Sequence, residues 1–353
     1  MQEILYFVLF GLGLLMIIKG SDWFIDAVLW FAEVMHIPQL IIGATIVSIC
    51  TTMPETFVSV TAALKAETDT AFGNAVGSIA TNTGLIMAIL IIFAAPVIEN
   101  MRSYCQNGIS LMIALLFMWG LGFASGQISR PIGLLLLVGL VVYIANNLRS
   151  AKAEAGMVIT SAEIAETAAE AAAESHLTGD AAQGSADERS LLVHNALFFV
   201  VGLALVIVGS NLLVDNGIAI ADLLGVPSLL VAVIFTSFGT SLPELMTTIT
   251  SIRKKAGNLG VGNIIGADIL NILQVVSLSA TVHPIDMTGD RSIQVFQMPI
   301  TIAIVGFAVV TGMRSEKGFR KWQGFVLLAL YIVFLCVNLL RENTPILGPL
   351  LFS

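Results

Sequence analysis

The chain alternates long apolar stretches with short polar connections. A helix needs about 20 mostly apolar residues to cross the hydrocarbon of a bilayer. Ten stretches meet that length, at roughly 4–32, 37–64, 70–93, 106–125, 129–148, 191–222, 227–252, 258–281, 293–312 and 321–340. The first and sixth exceed what a span needs and carry polar interruptions, which suits tilted helices. The opening MQEILYFVLFGLGLLMII has neither a basic leader nor a small-residue cleavage site, so it is expected to be a retained helix. The pattern predicts an all-α polytopic membrane protein with ten transmembrane helices.

Composition supports this and narrows the function. Of the 353 residues, 57% are hydrophobic and 11% charged, against about 25% charged in soluble domains. Mean hydropathy is +0.93. These values exclude a soluble enzyme, and no enzymatic activity is expected. A net charge of −8 argues against a nucleic-acid partner, which requires basic patches. Cys50, Cys105 and Cys336 lack paired spacing, so neither a disulfide framework nor a zinc site is expected.

Lysine and arginine orient the spans. With the N-terminus outside, the inward connections hold Arg102, Arg149, Lys152, Arg189, the Arg253-Lys254-Lys255 run, and Arg314, Lys317, Arg320 and Lys321. The outward side holds only Lys65, Arg130, Arg291 and Arg341. Both termini are therefore expected outside and residues 149–190 in the cytoplasm. That segment is rich in Ala and Glu and has eight acids between 150 and 190. It reads as a linker with a short solvated helix; its acids lack the spacing of an EF-hand loop.

The chain also repeats itself. Shifted by 189 residues, Gly20-Ser21 falls on Gly209-Ser210, Asp26 on Asp215, Ser48 on Ser237, Pro54-Glu55 on Pro243-Glu244, Gly73-Asn74 on Gly262-Asn263, and Asn82 on Asn271, with no gap. The organisation expected is a first five-helix repeat at 1–148, the connecting segment at 149–190, and a second five-helix repeat at 191–353. An odd number of spans per repeat inverts the second in the membrane. Inverted repeats are typical of secondary transporters, with the substrate site near the midplane between them. A duplicated channel or scaffold is the plainer alternative, although the matched residues are polar ones that lipid packing does not require.

Glu55 and Glu244 lie deep in their apolar stretches. A carboxylate there costs several kcal/mol unless it faces a partner or a watery cavity. Each follows a proline that cannot donate to the carbonyl four residues earlier, so broken helices are expected beside the acids. The candidate ligands are all oxygen: the two carboxylates, the hydroxyls of Ser48, Thr51, Thr52, Ser237, Thr240 and Ser241, the amides Asn82 and Asn271, and freed carbonyls. Hard cations such as Ca²⁺ prefer six to eight oxygens, and the absence of His or Cys from the set disfavours softer metals. The same cage suits sodium ions or protons, and competition between occupancies is the physical basis of antiport. Ser78 stands one turn before Asn82. Asp268, where the first half has Ile79, is expected to bring a third charge or an orienting hydrogen bond, and Gln274 is a weaker candidate. Gly73, Gly77, Gly262 and Gly266 recur at four-residue spacing, which permits close helix packing.

In its segments TTMPET with GNAVGSIATN (within 43–85) and GTSLPE with GNIIGADILN (within 232–274), the chain resembles the calcium/cation antiporter superfamily, specifically bacterial sodium/calcium exchangers. The resemblance implies Ca²⁺/Na⁺ exchange in the bacterial inner membrane, with potassium or proton coupling as variants. No cofactor is implied beyond the transported ions; the partners are inorganic cations and the lipid bilayer. It makes Glu55 and Glu244 the central cation ligands. Thr51, Thr52, Thr240, Ser241, Ser78, Asn82 and Asn271 would line the ion sites, and Ser48 and Ser237 would serve through backbone carbonyls. Helices one and six would slide as a gating pair. The chain departs from the family pattern at Cys50, at the TTM before Pro54, and at Ala267, where a serine is expected.

Overall fold

A computed structural model describes residues 2–172, 184–224, 239–287, 293–315 and 318–343. The chain folds into long helices: α1 Gln2–Val34, α2 Gln39–Thr51, α3 Met53–Leu64, α4 Thr68–Ala94, α5 Met101–Ser125, α6 Arg130–Ala172, α7 Gly184–Leu223, α8 Leu242–Arg253, α9 Gly257–Val282, α10 Val295–Met313 and α11 Lys321–Asn343. Among the described residues, eight helices are long and apolar enough to cross a membrane, and α2 with α3 make a ninth span bent by 45°. Each expected stretch coincides with one of these except the seventh, of which only residues 239–252 are described. The fifth helix runs well beyond residue 148 because the segment that follows is built of Ala and Glu, both strong helix formers. A two-stranded ribbon, Gln127–Ile128 against Ile285–Asp286, ties the end of α5 to that of α9.

Helix ends follow local chemistry. Asn100 caps α5 by accepting the Ser103 N–H at 2.9 Å, and Gly126, with φ of 69°, closes it in the left-handed region. The α3–α4 and α8–α9 turns share one geometry. Ala66 and Lys255, 189 residues apart, both have positive φ, at 62° and 59°. The following N–H groups of Glu67 and Ala256 reach back to Ala62 and Ser251 at 2.9 and 2.8 Å.

The interior is organised around α9, which is almost wholly buried, and α4, with a continuous apolar core between them. Close approach depends on glycine. A Cβ on Gly262 would collide with the Leu40 carbonyl, and one on Gly266 would lie 2.6 Å from Ser48 Oγ and 2.7 Å from Ala44 Cα. Gly73, by contrast, has no described atom within 4 Å of such a Cβ, so the packing expected of it is not seen.

Helices α1 and α7 form a second unit. A Cβ on Gly13 would lie 2.8 Å from the Gly209 carbonyl, and one on Gly209 the same distance from that of Gly13. Gly20 and Gly202 meet reciprocally in the same way, at 2.7 Å. Since Gly13 corresponds to Gly202 and Gly20 to Gly209 in the repeat, the two helices run antiparallel about a pseudo-two-fold axis. Phe24 and Phe199 extend the seam, with ring centroids 5.0 Å apart.

The glycine contacts give a paired stability test. Alanine is intrinsically better than glycine inside a helix by about 1 kcal/mol, whereas overpacking costs about 1–3 kcal/mol. Gly73→Ala should hold or raise the melting temperature in detergent, and Gly262→Ala should lower it by a few degrees. Equal melting of the two variants would contradict the packing at Leu40.

Candidate cation site

The bent span breaks at Thr52, where φ and ψ are −81° and 2°; Ser241, its counterpart, has −85° and 8°. Proline occupies the second position of the helix after each break and glutamate the third. Each of the two half-helices thus carries a carboxylate in its first turn, and Thr52 at the first break lies against Glu244 of the second. Free N–H groups at a helix start favour negative charge there. The backbone bonds across the first break are Thr52 N–H to Ser48 O at 2.9 Å and Thr56 N–H to Thr52 O at 3.1 Å. Pro54 offers no N–H to the Cys50 carbonyl.

The asparagines arrive on a second device. Helices α4 and α9 each widen into a π-type turn, at Asn82–Ile86 and Asn271–Val276. Such turns are rare and concentrate at functional sites. They begin at the two matched asparagines and lie at equivalent positions in the repeat.

The resulting constellation is fully buried: Glu55, Glu244, Asp268, Asn82 and Asn271 all have 0% exposure. Glu244 lies near enough to Glu55 for their charges to interact, with Thr240 and Ser241 beside Glu55 and Thr51 and Thr52 beside Glu244. Thr52 Oγ1 donates to Glu244 Oε1 at 3.4 Å. Both carboxylate oxygens of Glu55, one of Glu244, one of Asp268, the Ser241 hydroxyl and all side-chain polar atoms of Asn82 and Asn271 have no hydrogen-bond partner among the described residues. Buried polar atoms are normally satisfied, so this concentration of orphaned polar atoms marks a candidate cation site. Among the described residues no lysine or arginine pairs with any of the three acids.

The expected residues sort into those brought to the carboxylates and those held elsewhere. Thr51, Thr52, Thr240 and Ser241 surround them, and Ser78 Oγ reaches Thr240 Oγ1 at 3.4 Å. Ser48 turns its hydroxyl to the Thr45 carbonyl at 3.1 Å, and its own carbonyl accepts the Thr52 N–H. Ser237 lies outside the described residues. Asp268 accepts a hydrogen bond from Thr83 and lies beside Asn82, near enough to Glu244 for their charges to interact. Among the described residues it does not gather with both glutamates into a cluster of three acids. Gln274 reaches Thr56 at 3.0 Å rather than either carboxylate.

Two residues outside the expected set hold the site across the two halves. Thr51 donates to Asn263 Oδ1 at 3.3 Å, and Thr240 donates to Asn74 Oδ1 at 3.2 Å. Each asparagine is fixed in turn by its amide, Asn74 to Ser59 Oγ at 2.9 Å and Asn263 to Thr247 Oγ1 at 3.1 Å. Their signal was present in the repeat, where Asn74 aligns with Asn263. A cleft of about 490 Å³ between α7 and α3 reaches this region, with Pro54 and Thr240 in its wall and Asn211 and Asp215 on the α7 side.

Comparison with known proteins places the whole arrangement. The chain is 30% identical to the inner membrane protein YrbG of Escherichia coli over 92% of its length and 94% of that protein. It is 24% identical to the sodium/calcium exchanger MaX1 of Methanosarcina acetivorans, covering 94% and 97% of the two chains. Its fold is similar to that of the sodium-calcium exchanger NCX_Mj, with a TM-score of 0.76, 24% identity, and coverage of 95% of this chain and 99% of that one. The profile of the sodium/calcium exchanger protein family matches residues 5–149 and 194–340. With most of its length in those two matched halves, this chain belongs to the sodium/calcium exchanger protein family.

Proposed function

We propose that the protein is a secondary antiporter that exchanges Ca²⁺ for Na⁺ by alternating access. The observation that carries this reading is the pair of buried glutamates, one from each half, with no cationic partner among the described residues and with unpartnered amide and hydroxyl oxygens around them. Two carboxylates neutralise one divalent ion, and neutral oxygens complete the shell that Ca²⁺ prefers. Glu55 and Glu244 are the shared ligands. Asn82, Asn271, Thr51, Thr52, Thr240, Ser241 and Ser78 line the ion sites, and Asn74 and Asn263 position the threonines.

The antiparallel α1–α7 pair and the matched helix breaks support two inverted five-helix repeats, ten spans in all. The distribution of lysine and arginine supports a plasma-membrane protein with both termini outside and residues 149–190 in the cytoplasm. Inversion places the substrate at the repeat interface and lets one arrangement serve both membrane faces.

Purified protein in sealed vesicles should accumulate radiolabelled calcium when sodium is loaded inside and diluted outside. Uptake that ignores sodium and follows a pH gradient would move the coupling to protons. Removing one charge of a buried cluster costs about 3–5 kcal/mol, so Glu55→Gln and Glu244→Gln should each weaken calcium binding about 100-fold or more. Normal exchange by both variants would overturn the site.

Asp268 is expected to behave differently: Thr83 already holds one of its oxygens and, although it feels the charge of Glu244, the three acids do not gather into one cluster among the described residues. In calorimetry Asp268→Asn should keep calcium affinity within about tenfold, equivalent to 1.4 kcal/mol. A loss as large as that of Glu55→Gln would put Asp268 on the calcium itself.

A further inference from the structure

The α1–α7 pair meets the two halves unequally. On one side α1 lies along α8: Thr250 Oγ1 donates to Ser21 Oγ at 2.9 Å. Asp22 pairs with Arg253 at 3.2 Å and Asp26 with Lys254 at 2.6 Å. The 189-residue offset assigns each contact a counterpart between α7 and α3: Ser210 with Thr61, Asn211 with Leu64, and Asp215 with Lys65. None of the three is made among the described residues. Ser210 donates to its own helix, to Val206 O at 2.7 Å, while Thr61, Lys65 and Asp215 are exposed. Between α7 and α3 lies the cleft of about 490 Å³. Phe57 is 68% exposed, whereas its counterpart Met246 is half-buried.

Two of these three contacts keep their chemistry in both halves. Ser21–Thr250 and Ser210–Thr61 are both hydroxyl pairs, and Asp26–Lys254 and Asp215–Lys65 are both ion pairs. A solvated surface accounts for Asp215 and Lys65 singly. It does not account for their standing at the register of a pair that is made on the other side.

We infer that Ser210–Thr61 and Asp215–Lys65 are the lock of the opposite conformation, formed when the α1–α7 pair leaves α8 and docks on α3. That movement closes the cleft and opens the Lys254 side. The third contact is not duplicated, because Asn211 and Leu64 stand where Asp22 and Arg253 would be. The lock on the Lys254 side therefore has one ion pair more, which favours the conformation seen. The inference rests on the alternating-access reading. With the basic residues inside, the conformation seen is open to the exterior.

The test uses full-length protein in vesicles with Lys65→Cys and Asp215→Cys combined, treated with an oxidant under sodium, calcium and proton gradients in turn. The two single variants control for Cys50, Cys105 and Cys336. A Ser21→Cys with Thr250→Cys variant, whose positions already touch, confirms folding and access of the oxidant. The Lys65–Asp215 cross-link should form under at least one gradient. If it forms under none while the control pair cross-links, the lock is overturned. Should the double-cysteine protein not fold, Asp215→Lys with Lys65→Asp decides: recovery of the transport lost in either single variant supports the pair, and no recovery overturns it. Arg253→Leu should also slow labelling of a Phe57→Cys variant by an impermeant maleimide about two- to fivefold, the range expected for one partly exposed ion pair; unchanged labelling would overturn the bias. Cross-linking is read on the protein itself. Absent calcium flux would thus sink the exchange reading while leaving the lock intact.

Discussion

Two carboxylates buried at the depth of the hydrocarbon, with no lysine or arginine beside them among the described residues, set the terms for the rest of this structure. Removing a charge from water costs several kcal/mol even after the protein relaxes. The protein returns only part of that through hydroxyls such as Thr52. On the proposed reading a bound cation supplies the remainder, so occupancy and the stability of the site are linked. The same shortfall explains exchange in place of leak. With neither cation bound, closing the site to one face before opening it to the other would enclose uncompensated negative charge away from water.

Holding the acids there requires irregular backbone, which lipid does not tolerate and protein does. The breaks at Thr52 and Ser241 and the π-type turns at Asn82 and Asn271 are all enclosed by other helices. Glycine makes that enclosure close enough, since Gly262 and Gly266 bring α9 against the backbone of α2. The asparagine clamps then tie the two halves at the level of the acids. A threonine from each half is held by an asparagine from the other. These clamps hold the threonines beside the acids, and the α1–α7 pair, sealed on its own glycines, packs alongside as a unit.

Much of this was legible in the residues because the repeat marks it twice. Pro-Glu beside hydroxyls predicted the breaks, and Asn82 and Asn271 stood out as aligned candidate ligands, but nothing in the residues announced the π-type turns that begin at them. Asn74 and Asn263 also aligned but were not assigned to the site, since a clamp joins residues about 170 to 210 positions apart that no local pattern connects. The hydrogen bond from Thr83 to Asp268 breaks the repeat symmetry and left no matched pair to find. Ser48 was expected to act through its hydroxyl or, by the resemblance, through its backbone carbonyl, and only the hydroxyl is turned away. Its position is matched, but a serine inside a helix readily turns its hydroxyl to a carbonyl of the preceding turn, and it does so at Thr45.

The departures from the repeat carry as much information as the matches. Two identical inverted halves would give two conformations related by symmetry and equal in free energy within a symmetric bilayer. Neither direction of opening would then be preferred, and the ion sites would come in equivalent pairs. Any preference for one face, or any site without a twin, must therefore arise where the 189-residue offset fails. In this chain it fails at several polar positions, among them Asp268 against Ile79, Ala267 against Ser78, Thr83 against Ile272, Gln274 against Leu85, and Asp22 with Arg253 against Asn211 with Leu64. Those in α4 and α9 lie around the candidate cation site and make its two halves chemically unequal. The last lies at the rim of the α1–α7 pair and makes its contacts with the two halves unequal. The two inequalities fall on separate elements, so a substitution at either leaves the residues of the other untouched.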